Sequence, residues 1–254
     1  MHFFKRILNF DEEAVVRREK RLARRFDLNP ESPLSLVILT QDGPVPAKIK
    51  DLSSTGIGFE LPAGEPALAP GQSCPVRLEI ERYSLELNAH VSRVVGSPAS
   101  SLTIGADLTN NDYPTRRNLV QLLEPIEIGS TLHSIENVSG IETEPGLVSI
   151  RYFSSTSSAL TVWRDSANRE IEGFEWRLND FYVRSGAVPP EVTIYETDSS
   201  GISGGSNFAL PTLRLSLEDK SEVRRLFNWI VPHLNAGIPA DLREFVSAYR
   251  TLGV

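Results

Sequence analysis

Residues 34–61 read LSLVILTQDGPVPAKIKDLSSTGIGFEL, three extended runs separated by two turns. Leu34, Leu36 and Ile38 alternate with other residues, Gln41-Asp42-Gly43-Pro44 carries turn chemistry, and Val45 to Ile49 opens the next run. Asp51-Leu52-Ser53-Ser54-Thr55-Gly56 then separates that run from Ile57, Phe59 and Leu61, which alternate again. A period of two marks strands with one buried face, and short polar turns between them mark antiparallel hairpins.

The same grammar continues downstream. Ala69-Pro70-Gly71-Gln72 turns the chain, Val76, Leu78 and Ile80 alternate, and Leu85, Leu87, Ala89 and Val91 follow, with a last run from Ile104 to Leu108. About six strands at this short spacing predict an antiparallel sandwich or small barrel. Asp112 to Leu123 reads as a helix, with Pro114 in its first turn and Leu119, Leu122 and Leu123 on one side. The first domain is expected to close near residue 126. Upstream, Phe3 to about Arg25 has no Gly or Pro and favours helix, with Phe3, Phe4, Ile7, Leu8 and Phe10 as its apolar residues. That stretch reads either as packing on the chain's own core or as a foot on a membrane surface or partner.

Residues 127–254 read as a second domain of mixed class. Val148, Ile150 and Tyr152 alternate, as do Phe174, Trp176 and Leu178, and Val192, Ile194, Leu213 and Leu215 add strand candidates. Val223, Leu226, Phe227 and Ile230 fall at helical spacing, and Leu242, Phe245, Val246 and Tyr249 repeat it, so two amphipathic helices are expected to close the chain as a hairpin. Gly237 is expected to end the first and Pro239 to start the second. Ser199 to Asn207 reads as a glycine-serine loop. The expected fold is therefore mainly β plus α+β. Residues 1–18 form a helical segment, 19–126 a six-stranded antiparallel barrel with flanking helices, and 127–254 an α+β domain ending in a helical hairpin.

Composition narrows the function. The 254 residues are 40% hydrophobic and 23% charged, enough apolar side chain for two packed cores. The longest uncharged candidate for a membrane span, Leu226 to Ala240, is interrupted by Asn228, Pro232, His233, Asn235 and Pro239. The first residues carry no secretory pattern, so a cytoplasmic location is expected. One cysteine, Cys74, excludes an internal disulfide and a cysteine-rich zinc site, and the four scattered histidines have no ligand spacing. The net charge of −7 is uneven: residues 1–25 hold eight basic side chains against four acidic ones, leaving the rest strongly acidic. An acidic body disfavours DNA and RNA, whose binding needs many basic phosphate contacts, and suits a small anionic ligand.

Two spots exceed what a plain barrel needs. Arg21-Leu22-Ala23-Arg24-Arg25 sets two guanidiniums four residues apart just before the first strand, where they can share a ligand. Guanidinium forks bind phosphate oxygens or the O6/N7 edge of guanine bidentately. Alone, this is equally a solvated basic helix face. Asp51, Ser53 and Gly56 form the second spot: a carboxylate that can accept from a guanine edge, a hydroxyl that can bind phosphate or lock its turn, and a glycine. Alone, this is equally a polar loop closed on its own backbone.

Taken together, RxxxR upstream of a first strand and DxSxxG one hairpin later resemble the PilZ domain family over residues 19 to about 126. Leu68 to Gln72, Val91 to Val95 and Gly105 to Leu108 add to the likeness. The resemblance implies a bacterial receptor for the second messenger cyclic di-GMP. It implies that Arg21 and Arg25 clasp the ligand's phosphates and guanine edges, with Arg24 as an added basic group. Asp51 would take the guanine N1 and N2 hydrogens, and Ser53 and Gly56 would shape the strand end. The family's order-disorder switch would then relay binding to a protein partner. Peripheral membrane contact through the N-terminus and a homodimer are compatible with the sequence. No cofactor, no metal and no catalytic constellation are expected: there is no GxSxG, HExxH or phosphate-binding loop, and Glu172, Glu175 and Asp180 read as solvated charges. The competing reading is a PilZ-fold adaptor that binds protein and no nucleotide.

Overall fold

Alternation along 34–61 becomes a barrel wall. The computed structural model describes residues 23–64, 68–81, 83–97, 99–134, 141–156, 158–179, 181–186, 192–197, 213–216 and 220–251. These fall into two compact units that divide between Glu127 and Ile128. The expected N-terminal helix, the glycine-serine loop, Arg21, His2 and Asp180 lie outside the described residues.

The first unit holds β1 (Phe26–Asp27), β2 (Ser35–Thr40), β3 (Gly43–Leu52), β4 (Gly56–Pro62), β5 (Ser73–Ile80), β6 (Tyr83–Ser97) and β7 (Ser101–Asp107). Strands pair in the order β3-β2-β5-β6-β7-β4, and β4 returns to β3, so six antiparallel strands close on themselves as expected. Closure removes free edges. β1 extends the wall beyond β2, pairing with the far end of β3 through Phe26↔Leu52 and Asp27↔Asp51. Leu36, Ile38, Leu52, Ile57, Phe59, Leu61, Val76, Leu78, Leu87, Val91 and Ile104 fill the interior, each 2% exposed or less. Cys74 is among these buried residues, and burial pushes its thiol up to about 11. Gly43, at φ +125°, takes the β2–β3 turn through a region that disfavours side chains.

Inward residues skip one beat in two places. Ile49 and Leu52 are both buried although three residues apart, and the β3–β4 ladder shifts between Ile49 and Asp51. Val91 pairs with Ala106 and Val94 with Ile104, again three apart, with the β6–β7 ladder shifted between Val91 and Arg93. Each is a β-bulge, an extra residue that re-aims the side chain beside it. Lys50 and Ser92 are the extra residues, and Ser92 Oγ fixes its bulge by donating to Gly105 O at 2.8 Å.

Helix α1 spans Tyr113–Thr131. Asp112 caps it, accepting from Thr115 N at 2.9 Å, and its hydrogen bonds to Thr115 hold its carboxyl below the usual range. The helix outruns its expected end at Leu123 by eight residues, through Pro125 and Gly129. Gly129 is where that extension needs glycine: a Cβ there would stand 2.6 Å from Ile230 O. Asn235 closes this end, its N–H donating to Gly129 O at 3.1 Å and its Nδ2 to Ser130 O at 3.2 Å.

The second unit is an eight-stranded antiparallel sheet. It comprises β8 (His133–Ser134), β9 (Ile141–Glu144), β10 (Leu147–Phe153), β11 (Ala159–Asp165), β12 (Ile171–Leu178), β13 (Phe181–Gly186), β14 (Val192–Thr197) and β15 (Leu213–Leu215). Helices α2 (Lys220–Ile230) and α3 (Ala240–Ser247) follow, each continued by a short 3-10 turn at Val231–His233 and Ala248–Thr251. One sheet face meets these helices through stacked aromatics: Phe174 lies edge-on to Tyr249 at 5.0 Å, and Trp176 edge-on to Phe227 at 5.2 Å. Trp176 Nε1 donates to Ser158 Oγ at 2.9 Å. Trp176 and Trp229 are fully buried core residues, whereas Trp163 is only partly buried, on the opposite face from Val162. α2 ends at Ile230, seven residues before Gly237, because Pro232 tightens the chain into 3-10 geometry.

Candidate functional site

Pairing of β1 with β3 places the arginine motif. Phe26, 5% exposed, anchors β1 against the barrel, so Arg25 immediately before it is delivered to the β3–β4 turn. Leu28 N continues the contact by donating to Lys50 O at 3.0 Å. Arg25 Nη1 donates to Asp51 Oδ1 in a short ion pair, with the two side chains 52% and 26% exposed. Both groups therefore keep contact with water, and a pair this exposed is worth about 0–1 kcal/mol. It is easily rearranged around a ligand. Arg24 is exposed beside it.

Two glycines lie under this pair. A Cβ on Gly56 would meet Arg25 Nη2 at 2.9 Å and Ala106 O at 3.1 Å. On Gly58, a Cβ would stand 2.3 Å from Asp51 Oδ2. Arg25 and Asp51 thus rest directly on backbone that carries no side chain. Neither glycine is in the left-handed region, so close approach and not conformational freedom accounts for them.

Ser53 has a different place. It is 1% exposed, and its Oγ accepts from Gly56 N at 3.0 Å and Thr55 N at 3.3 Å while contacting Gly56 O at 3.2 Å. Ser53 N also donates to Gly56 O at 2.8 Å. Of the two roles open to this hydroxyl, the structure shows it locking the turn. Leu108 N ties that turn to the end of β7 by donating to Thr55 O at 2.9 Å.

A row of residues crosses four strands from this spot: Asp51 on β3, Gly58 on β4, Gly105 on β7 and Arg93 on β6. Directly paired residues share a face, so all four point outward. By plain alternation from Ile49 and Val91, Asp51 and Arg93 would point inward, and the two bulges turn them out. Arg93, Gly58 and Gly105 were not among the expected site residues. The signal that could have found them is the three-residue spacing of apolar positions at Ile49 and Leu52 and at Val91 and Val94.

The other expected polar groups serve the scaffold. Glu175 pairs with Arg184 across β12 and β13, which agrees with a charge on a sheet face. His90 and His133 are exposed, while His233 is 7% exposed and burial lowers its pKa to about 4. No group of three or more His, Cys, Asp or Glu among the described residues could hold a metal, and no described helix is long and apolar enough to cross a membrane.

Comparison with known proteins gives a family for the barrel. No curated protein matches the chain. Among solved structures it is similar to the motility inhibitor MotI/DgrA of Bacillus subtilis, at 18% identity and TM-score 0.31, over 38% of this chain and 46% of that one. The chain therefore spans less than half of that relative. It is also similar to the uncharacterised Legionella protein Lpg0364, at 17% identity and TM-score 0.28, over 40% of this chain and 90% of that one. A third likeness is to PlzA of Borreliella burgdorferi, solved in complex with c-di-GMP, at 10% identity and TM-score 0.33, over 88% and 99% of the two chains. Scores this low establish no shared overall architecture. The sequence model of the PilZ domain, however, matches residues 16–124, the stretch that holds both motifs and the closed barrel. Residues 16–124 of this chain are a PilZ domain.

Proposed function

We propose that the chain is a receptor for cyclic di-GMP that changes conformation on binding and passes the change to a protein partner. The observation that carries this reading is the Arg25–Asp51 pair seated on Gly56 and Gly58. A guanidinium fork and a carboxylate side by side on a bare strip of backbone complement a ligand with anionic phosphodiesters and guanine edges. Asp51 accepts from guanine N1 and N2, and Arg25 donates to phosphate or to the O6/N7 edge. Arg21, four residues upstream, and Arg24 add charge from the segment that leads into β1. The cytoplasm is the compartment this reading requires.

Ligand binding replaces a partly solvated ion pair with charge-assisted contacts to a dianion. The like charges of Arg17, Arg18, Lys20, Arg21, Arg24 and Arg25 repel one another without ligand and are neutralised by it. A ligand-dependent change at the basic residues before β1 is the relay. Isothermal titration with cyclic di-GMP tests the reading. Heat with saturation at micromolar ligand is expected; no heat up to about 1 mM, or binding weaker than about 4 kcal/mol, replaces the receptor with the nucleotide-blind adaptor.

A further inference from the structure

Phe174 and Trp176 turn one face of the second sheet to the helices, so the residues alternating with them in β12 build the other face. Strand register carries that face across the sheet in rows. Arg184, Glu175, Thr161 and Arg151 form one row, and Gly186, Gly173, Trp163 and Ser149 the next. Residues 128–254 hold more acidic than basic side chains, yet the centre of this face shows Arg151, Arg177 and Arg184, all exposed, against Glu175. Arg184 already pairs with Glu175, and Asp165, at the strand end, accepts from Ala167 N and Asn168 N of its own turn. Arg177 lies over the Tyr182 ring at 5.8 Å and Arg184 over the Tyr195 ring at 5.0 Å. Arg151 makes no hydrogen bond or ion pair among the described residues. Beside Trp163 the face is shallow. No described atom lies within 4 Å of where a Cβ on Gly186 would stand, and the atoms nearest a Cβ on Gly173 are backbone of Ser185 and Gly186.

Resting on the reading that the chain signals to a protein partner, we propose that this face of the second sheet docks an acidic segment of that partner. One apolar side chain of the segment enters the groove beside Trp163, and its carboxylates meet Arg151, Arg177 and Arg184. Two strand spacings separate Trp163 from Gly186, so the groove is about 10 Å across, room for one large side chain. Arginine with tyrosine and tryptophan is the composition of binding hot spots. Stacking on tyrosine holds a guanidinium flat and leaves its N–H edge free, a fork matched to carboxylates. Charge decides between occupants: a second copy laid face to face would set arginine against arginine. Single-stranded nucleic acid needs open aromatic rings for its bases, and the arginines already cover Tyr182 and Tyr195.

The test selects short random peptides, displayed on phage, on the full-length wild type. The enriched peptides are then synthesised and titrated into the wild type, Arg151→Glu and Gly186→Phe, with thermal melts as the folding control. Enriched sequences are expected to be net negative with at least one large apolar residue. Both variants are expected to weaken them at least tenfold at unchanged melting temperature; Arg151→Gln, which only removes the charge, replaces the reversal if that variant melts early. A selection that enriches no acidic peptides, or wild-type affinity in both variants, overturns the proposal. Phosphatidylglycerol vesicles and an oligothymidylate are titrated in parallel. Binding of either that is lost in Arg151→Glu, with no acidic peptide enriched, overturns the acidic segment in favour of lipid or nucleic acid. Cyclic di-GMP is expected to bind the variants as it binds the wild type, because the substituted residues belong to the second unit. A wild type that ignores the nucleotide but binds the acidic peptides at this face overturns the receptor reading and supports the docking face as that of an adaptor.

Discussion

Asp51 lies so closely over Gly58 that a Cβ on the glycine would fall 2.3 Å from the carboxylate oxygen. Backbone on β4 thereby fixes where the acidic side chain of β3 can sit, and Arg25 follows through its ion pair.

Gly58→Ala is therefore expected to act on binding without touching the ligand. The added methyl displaces the Asp51 carboxylate from its seat, and affinity for cyclic di-GMP should fall at least tenfold in a titration. Far-UV circular dichroism should remain that of the wild type, because the displaced group faces solvent.

Removing the charged groups directly should weaken binding further. Arg25→Ala and Asp51→Ala each delete charge-assisted hydrogen bonds worth about 1.5–3 kcal/mol, a loss of roughly ten- to 150-fold by calorimetry. Arg21→Ala is expected to behave in the same way. Melting temperatures should stay nearly constant, since an ion pair this exposed adds little to stability.

Ser53→Ala should do the reverse. Its hydroxyl is buried and serves the backbone N–H of Thr55 and Gly56, so truncation leaves buried polar groups unsatisfied at about 1–3 kcal/mol. A clear drop in the urea midpoint is expected, with binding lost mainly through the unfolded fraction. A stable Ser53→Ala that fails to bind would instead give the serine a direct ligand contact.

His233 makes stability depend on pH. Burial lowers its pKa to about 4 from the ordinary 6.5, so between those values the unfolded chain takes up a proton that the folded chain refuses. Stability is full above about pH 6.5 and falls as pH drops toward 4, by up to about 3 kcal/mol. Urea midpoints from pH 7.5 to 5 should decline in the wild type. In His233→Gln they should be nearly flat over that window, where the carboxylates have scarcely begun to titrate.

Much of the barrel was legible because half-buried strands write their period into the sequence: Leu34, Leu36 and Ile38, or Ile57, Phe59 and Leu61, are readable one by one. RxxxR and DxSxxG were legible as residue types at fixed spacing. Which of them reaches the surface was not, since Ser53 and Asp51 differ in burial only once the turn is folded. β11 and β13 went unread because ALTVWRD and FYVRSG carry apolar residues on both faces and so lack alternation. The last two turns of α1 were hidden by Pro125 and Gly129, local breakers overruled by the close contact of Gly129 with Ile230 and by the Asn235 cap. Bulges left only a skipped beat, visible when burial is already known.

Cys74 bears on how this protein can be watched at work. It is the chain's one thiol, 1% exposed and pushed up to about 11, so at neutral pH only about one molecule in ten thousand presents a thiolate, and that one is walled in by the barrel. Maleimides and iodoacetamides react with exposed thiolates, so the native chain is effectively silent toward them. A cysteine introduced on the surface, at Ser97 for instance, becomes a single addressable position with no need to rebuild the core first. Fluorophores or spin labels attached there and within residues 1–18 would follow the response to ligand in the otherwise unaltered protein.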